Sequence, residues 1–379
     1  MARAPNIFVV LADDQRADTL PIMNKTLARF GSGTCYMNGL ATTPLCGPAR
    51  CSLLSGMYAH NHGVTQNASA GAVFEHDHSV AKLLKQAGYT TGYVGKYING
   101  WYGRGAPPHF DDFAIFKEDK EYYDTLWNIN GVEGRKGDHI IDVTRRQTNR
   151  VLQRFDATAD VRPWFVVMAP YLPHTPSIPE PQYANDDVDE SVSIGTLDQE
   201  WERDQLRCLL SLDDAVDEIY DHLATLRERA NLLSIYLSDN GYMWGERGGL
   251  TRKRWPYGPS TKIPYLVNWP ASGSFRAGRS RRLVANIDIA PTICEAAGVL
   301  QPARMDGRSL ISGARRRRLL LEYWNEGDFD ATPDWASVRG PTWQYVEWWP
   351  DDPAKKRSET LFGVPPDNVG KIIERLRSA

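Results

Sequence analysis

The sequence predicts an α/β protein: a mostly parallel central sheet sandwiched by helices, with a small antiparallel sheet and one helix towards the C-terminal end. Three observations carry that expectation. Continuous apolar, β-rich runs such as Asn6–Ala12, Thr90–Gly95 and Trp164–Ala169 alternate with helical patterns, as expected for strands buried on both faces. Polar residues with chemical capability fall just after such runs, at Asp13-Asp14, Lys96, His174 and Asp239-Asn240, where open α/β sheets hold their ligands. From about residue 315 the runs shorten and Pro, Gly and Asp separate them, which marks hairpin-connected strands.

Further strands of the main sheet are expected at 232–237 and 263–268, with helices near 21–30, 48–55, 79–86, 139–155, 200–227 and 288–297. The stretch 101–136, rich in Gly, aromatics and charge, reads as an irregular insertion near the site. In the tail, strands are expected at 319–324, 335–339 and 343–349, closed by a helix at 369–377. The division that follows is a catalytic unit over 1–314 and a small antiparallel subdomain over 315–379. Trp335, Trp343, Trp348 and Trp349 read first as packing for that small sheet and second as a stacking face for a sugar.

Hydrophobic residues at 42% and charged residues at 24% describe an ordinary globular chain, and the net charge of −3 gives no general attraction to nucleic acid or anionic membrane. Any anion site must therefore be built locally. The arginine tract 315–318 reads first as a solvated loop ahead of the strand at 319 and second as a contact for an anionic partner. No stretch has the length of a transmembrane span, and the early apolar run meets Asp13-Asp14 at once, so it is no signal-peptide core. Five scattered cysteines make no disulfide framework. Reduced thiols and a cytoplasmic location are the expectation, with Cys35, Cys51, Cys208 and Cys294 as inert packing residues.

Cys46-Gly47-Pro48-Ala49-Arg50 has a sharper reading. A cysteine two residues before a proline and four before an arginine fits the recognition pattern for oxidation to formylglycine, an aldehyde that hydrates to a geminal diol. Pro48 suits the first turn of a helix, which would place Cys46 just ahead of a helix N-terminus, beside free N–H groups that favour an anion. Arg50 adds a positive fork one turn in. Asp13-Asp14 and Asp239-Asn240 alone read as turns. Together they offer all-oxygen ligands from strand ends, which suits a hard divalent cation.

These blocks together resemble a type I, formylglycine-dependent sulfatase of the alkaline-phosphatase superfamily. The resemblance runs through Asn6–Asp14, Cys46–Arg50 with Ser55-Gly56, Gly95-Lys96, Pro173-His174-Thr175-Pro176, Ser238-Asp239-Asn240-Gly241, and Lys253 ahead of Lys262-Ile263-Pro264. The wording around Leu11–Asp18, Thr42–Cys46, Tyr58–Gly63 and Gly95-Lys96-Tyr97 is most similar to N-acetylglucosamine-6-sulfatases and related bacterial enzymes.

The resemblance implies that Asp13, Asp14, Asp239 and Asn240 ligate one divalent cation, with formylglycine 46 as a further ligand. Calcium is implied first, magnesium or manganese second. Arg50, Lys96, His174 and Lys253 would surround the sulfate, with Lys253 set between Arg252 and Arg254. One diol hydroxyl would attack sulfur, His174 or Lys253 would protonate the leaving oxygen, and the second hydroxyl would release sulfate from the sulfo-enzyme intermediate. The implied partners are a sulfated carbohydrate or small metabolite and a formylglycine-generating enzyme. Many arylsulfatases carry a histidine two residues after this lysine; here that position is Ile98. His60 and His62 are left as sugar contacts or helix-end caps. Two alternatives remain: a phosphonate monoester or phosphodiester hydrolase using the same cysteine, and a catalytically silent relative.

Overall fold

The computed structural model describes residues 4–119, 121–157, 162–188, 200–226, 230–313, 315–327, 332–349 and 358–362. The first strands are β1 (Asn6–Ala12), β2 (Thr34–Leu40), β3 (Thr90–Gly95), β4 (Asp112–Phe116), β5 (Thr125–Ile129), β6 (Val132–Lys136) and β7 (Trp164–Ala169). They are followed by β8 (Leu232–Ser238), the short hairpin β9 (Met243–Trp244) and β10 (Thr251–Arg252), then β11 (Tyr265–Asn268) and β12 (Gly278–Ala285). The last are β13 (Leu319–Tyr323), β14 (Asp334–Arg339), β15 (Gln344–Trp349) and β16 (Ser358–Phe362).

Among the described residues the main sheet has ten strands in the order β12-β2-β11-β8-β1-β7-β3-β4-β5-β6. Its centre, β8-β1-β7-β3-β4, is parallel throughout. Antiparallel pairing is confined to β11, which runs against both β8 and β2, and to the β4-β5-β6 edge. The sheet is therefore mixed, with the predicted parallel part at its core. Successive side chains of a strand point to opposite faces, and β1 shows the result. Ile7, Val9 and Leu11 pack with the helices Cys46–Ser55, Val80–Gln86 and Ile289–Ala296 on one side. Phe8, Val10 and Ala12 pack with Ile140–Asp156 and Glu200–Thr225 on the other. Each fully buried large apolar side chain contributes about 1.5–3 kcal/mol. That double burial explains why the strand reads as one unbroken apolar run.

The small sheet, β13-β14-β15-β16, is antiparallel. Leu319, Leu321, Tyr323, Trp335 and Val346 join a core with Leu40, Leu45, Leu283, Ala285 and Ile287, so it rests on the segment leading into Cys46. Trp335 is buried there, whereas Trp349 is exposed. Cys51, Cys208 and Cys294 are buried free thiols and Cys35 is half-buried.

Two expectations need correction. The stretch 101–136 is not an irregular insertion: it carries β4, β5 and β6, whose Phe113, Ile115 and Trp127 are buried. The tract 315–318 is not wholly solvated, because Arg316 turns inward to form a buried ion pair with Asp288. The helix expected at 369–377 lies outside the described residues.

Candidate active site

Neighbouring strand ends bring the acids together. β1 and β8 pair in parallel with Ala12 opposite Ser238, so Asp13 and Asp239 leave the sheet side by side. The Asp239 N–H donates to the Ala12 carbonyl at 3.1 Å. Asp14 has φ 66, in the left-handed region that Asp tolerates better than most residues. Its N–H donates to Asp239 Oδ1 at 3.1 Å, and Asn240 Nδ2 donates to Asp14 Oδ1 at 2.6 Å. A Cβ on Gly241 would sit 2.0 Å from the Pro259 carbonyl oxygen, so only glycine can continue this turn.

Cys46 approaches from the opposite side. The helix Cys46–Ser55 has Leu45 as its extended N-cap and Gly56, φ 71, at its C-cap. It begins at Cys46 itself rather than after it, with Pro48 in the first turn. Asn67 Oδ1 accepts the Gly47 N–H at 2.7 Å, satisfying one donor of that open end. Cys46 Sγ lies 3.5 Å from Asp13 Oδ1, 4.0 Å from Asp14 Oδ1 and 2.7 Å from Lys253 Nζ. One turn on, Arg50 donates from Nε to Asp239 Oδ2 at 3.0 Å and from a terminal nitrogen to the Lys96 carbonyl at 2.7 Å.

Lys96 follows β3 and sets its ammonium 2.6 Å from Asp13 Oδ2, above the Tyr171 ring. Lys253, just past β10, donates to Asp14 Oδ1 at 2.6 Å. His174 lies beyond β7. Its Nδ1 is 2.6 Å from the Thr175 carbonyl oxygen, which can only accept, so Nδ1 carries a proton. Nε2 is left facing Asp14 Oδ2 at 3.7 Å. All nine residues named from the sequence thus converge.

The electrostatics follow from that convergence. Burial works to raise the Asp13 carboxyl, but Lys96, His174 and Arg50 outweigh it and hold the group down at about 2. Asp14 is also lowered, because Lys253 and His174 outweigh its burial. Burial pushes the Cys46 thiol well up, with Asp13 adding to the effect, so as a cysteine it is a poor nucleophile. Lys96 and Lys253 stay charged despite burial, through Asp13 and Asp14 respectively. Burial lowers His174 even with both acids nearby.

The donor set fits a hard cation. One donor atom each from Asp13, Asp14, Cys46 and Asp239 lies within 4.8 Å of the others. Asp14 Oδ2 and Asn240 Oδ1 are buried without a hydrogen-bond partner. Lone oxygens in a buried acidic cluster are costly unless a cation satisfies them.

Two contributors, Glu118 and Asn67, carried no sequence signal. Glu118 approaches Lys96 Nζ at 3.6 Å and accepts from Asn99 Nδ2 at 2.8 Å. These residues and Asn67 reach the site from loops, and only tertiary packing brings them there. Ile98 is buried in the apolar core and supplies no base. Of the two ambiguous histidines, His62 is structural: Nδ1 accepts the Val64 N–H at 3.1 Å and Nε2 donates to Ser52 Oγ at 2.9 Å. His60 pairs with Glu322 at 2.7 Å.

A parallel-cored α/β sheet thus gathers buried acids, two lysines, an arginine and a cysteine beyond the C-terminal ends of its strands. The chain belongs to the sulfatase family, whose model matches residues 5–299. It is 32% identical over 348 residues to a protein of Caenorhabditis elegans described as a putative extracellular sulfatase Sulf-1 homolog, covering 81% of this chain and 48% of that one. It is 30% identical to the N-acetylglucosamine-6-sulfatase of Homo sapiens, covering 86% of this chain and 68% of that protein. The chain thus spans about half the length of the nematode relative, and 32% of a Drosophila melanogaster extracellular sulfatase that it also matches.

Among solved structures, BT4656 in complex with its substrate D-glucosamine-2-N,6-O-disulfate superimposes with a TM-score of 0.84 at 19% identity, covering 99% of this chain and 96% of that one. A phosphonate monoester hydrolase from Silicibacter pomeroyi shares the fold with a TM-score of 0.75 at 18% identity, covering 99% and 94%. No helix among the described residues is long and apolar enough to cross a membrane. The expected cytoplasmic location finds no support among these relatives, two of which are described as extracellular.

Proposed function

We propose that this chain hydrolyses O-sulfate esters on a sugar, using formylglycine made from Cys46 and one divalent cation, calcium first. The observation that carries the reading is the packing of Cys46 among three acids, Asp13, Asp14 and Asp239, with the cations Arg50, Lys96 and Lys253 and with His174 beside them. Asp13, Asp14, Asp239 and Asn240 would hold the cation, which would supply Lewis-acid polarisation of a sulfuryl oxygen. The hydrated aldehyde would supply one hydroxyl for attack on sulfur and a second to release sulfate.

The chain's own groups do the rest. Arg50 is fixed by Asp239 and the Lys96 carbonyl, so its charge is positioned before substrate arrives. Lys96 and Lys253 neutralise charge on the sulfuryl oxygens. The leaving oxygen takes its proton from Lys253, which stays charged, or from Nε2 of His174 once that ring, oriented by Thr175, is doubly protonated. Maturation requires a formylglycine-generating enzyme. The sugar class is supported by relatives named N-acetylglucosamine-6-sulfatases. Nothing favours the phosphonate reading over it. We further propose that residues 1–314 form the catalytic unit and 315–379 a subdomain bracing the Cys46 segment.

The deciding experiment is mass spectrometry of the Cys46 peptide from native-host protein, alongside turnover of aryl sulfate, phosphodiester and phosphonate esters. Conversion of the cysteine with preferential sulfate turnover is expected. An unmodified thiol in fully active protein would sink the mechanism.

A further inference from the structure

We propose that a ledge formed by Trp255, Tyr257, Trp348, Arg247 and Arg252 binds the sulfated oligosaccharide that carries the scissile ester; this rests on the sugar-sulfatase reading above. The ledge adjoins the site. Lys253, whose ammonium touches the Cys46 sulfur, is two residues before Trp255. Two extended residues span at most about 7 Å, roughly the reach of one or two sugar rings.

The rings lie in register. Trp255 and Tyr257 are stacked, with centroids 6.3 Å apart and planes 16° from parallel. Trp348 of β15 joins them at 6.5 Å and 6.4 Å. All three are half-buried, so they are held in place while keeping part of their surface open. The Trp255 indole N–H donates to the Thr251 carbonyl at 3.2 Å, which fixes its ring. Rigid aromatic groups of this kind offer apolar area at little entropic cost, which suits the C–H faces of a pyranose.

Charge sets the class of ligand. Arg247 lies over Tyr257 at 4.9 Å and over Phe362 at 5.0 Å, and it is exposed, as is Arg252. Nearby arginines are committed to acids: Arg16 to Asp18 and Glu246, and Arg254 to Glu326. Arg247 and Arg252 make no ion pair among the described residues. Both are held with φ near +60°, at 59° and 69°, an uncommon conformation for arginine. In a chain of net charge −3, the Arg247 guanidinium over the Tyr257 ring and exposed Arg252, three residues before Trp255, add local positive charge that attracts anions. Their forks match the oxygens of sulfate or carboxylate groups spaced along a sugar chain.

The test compares kcat/KM for D-glucosamine-2-N,6-O-disulfate and for a tetrasaccharide ending in that sugar. It uses wild type, Trp255→Ala, Trp255→Phe and the double variant Arg247→Gln, Arg252→Gln. Trp255→Ala and the arginine double variant should each raise KM for the tetrasaccharide about tenfold and leave the monosaccharide values unchanged. Trp255→Phe, which keeps a ring, should retain most of the preference and so separates stacking from misfolding. Equal losses on both substrates, or an unaltered tetrasaccharide KM, would overturn the ledge. Tetrasaccharide binding read by tryptophan fluorescence keeps the two readings apart. If wild type binds but hydrolyses neither substrate, and Trp255→Ala weakens binding, the ledge stands and the sulfatase reading fails.

Discussion

Lys253 places its ammonium 2.7 Å from the Cys46 sulfur and 2.6 Å from Asp14 Oδ1, so one cation bridges the proposed nucleophile and a proposed metal ligand. Replacing it with methionine keeps the stem but removes the charge and the proton. Turnover of an aryl sulfate by Lys253→Met should fall by ~10²–10⁴, the usual worth of a positioned acid. A smaller loss in kcat would move the general-acid role to His174.

Metal removal tests the lone oxygens Asp14 Oδ2 and Asn240 Oδ1. Chelator-treated protein should lose activity and melt at lower temperature, and calcium should restore both. At free calcium a hundred times Kd the gain is about 2.7 kcal/mol. Asn240→Ala should shift the calcium titration to higher concentration. A melting temperature indifferent to calcium contradicts the site.

Legibility in the sequence tracked burial for most strands, although β4 is buried on every residue and still read as irregular among its Gly-rich, charged neighbours. β1, β3 and β7 are buried on nearly every residue, and their apolar runs announce them. β2 mixes exposed and buried positions, β6 is mostly exposed, and β12 opens on exposed Gly278 and Arg279, so none carries a clean period. The acids, Lys96 and His174 were legible because each follows a strand that was itself legible. Asn67 and Glu118 sit in loops whose approach is set by tertiary packing, and no spacing encodes that.

Acid sensitivity should follow from His62. It is 7% exposed and neutral by geometry, since Nδ1 accepts from Val64, and burial lowers it to about 4. An unfolded histidine titrates near 6.5. Between those values the unfolded chain binds the extra proton, so stability is present above about 6.5 and falls as pH drops towards 4. The loss approaches about 3 kcal/mol. His62→Asn should flatten urea-melt stability against pH over that window. An equally steep slope in the variant would assign the effect elsewhere.

Gly95 shows how tightly the fold aims Lys96. Its φ is 109, and a Cβ there would lie 2.0 Å from the Ala169 carbonyl oxygen, the same oxygen that accepts the Lys96 N–H at 2.8 Å. Alanine at this position must either push β3 away from β7 or rotate the peptide that launches Lys96. Both movements carry the ammonium off Asp13. A misplacement of about 1 Å can cost on the order of 100-fold in rate. Gly95→Ala should therefore lose at least that much kcat. Far-ultraviolet circular dichroism should stay close to wild type if the parallel core holds the sheet. Wild-type kcat in a folded Gly95→Ala protein would mean that Lys96 does not need this geometry, and its place beside the sulfate would have to be abandoned.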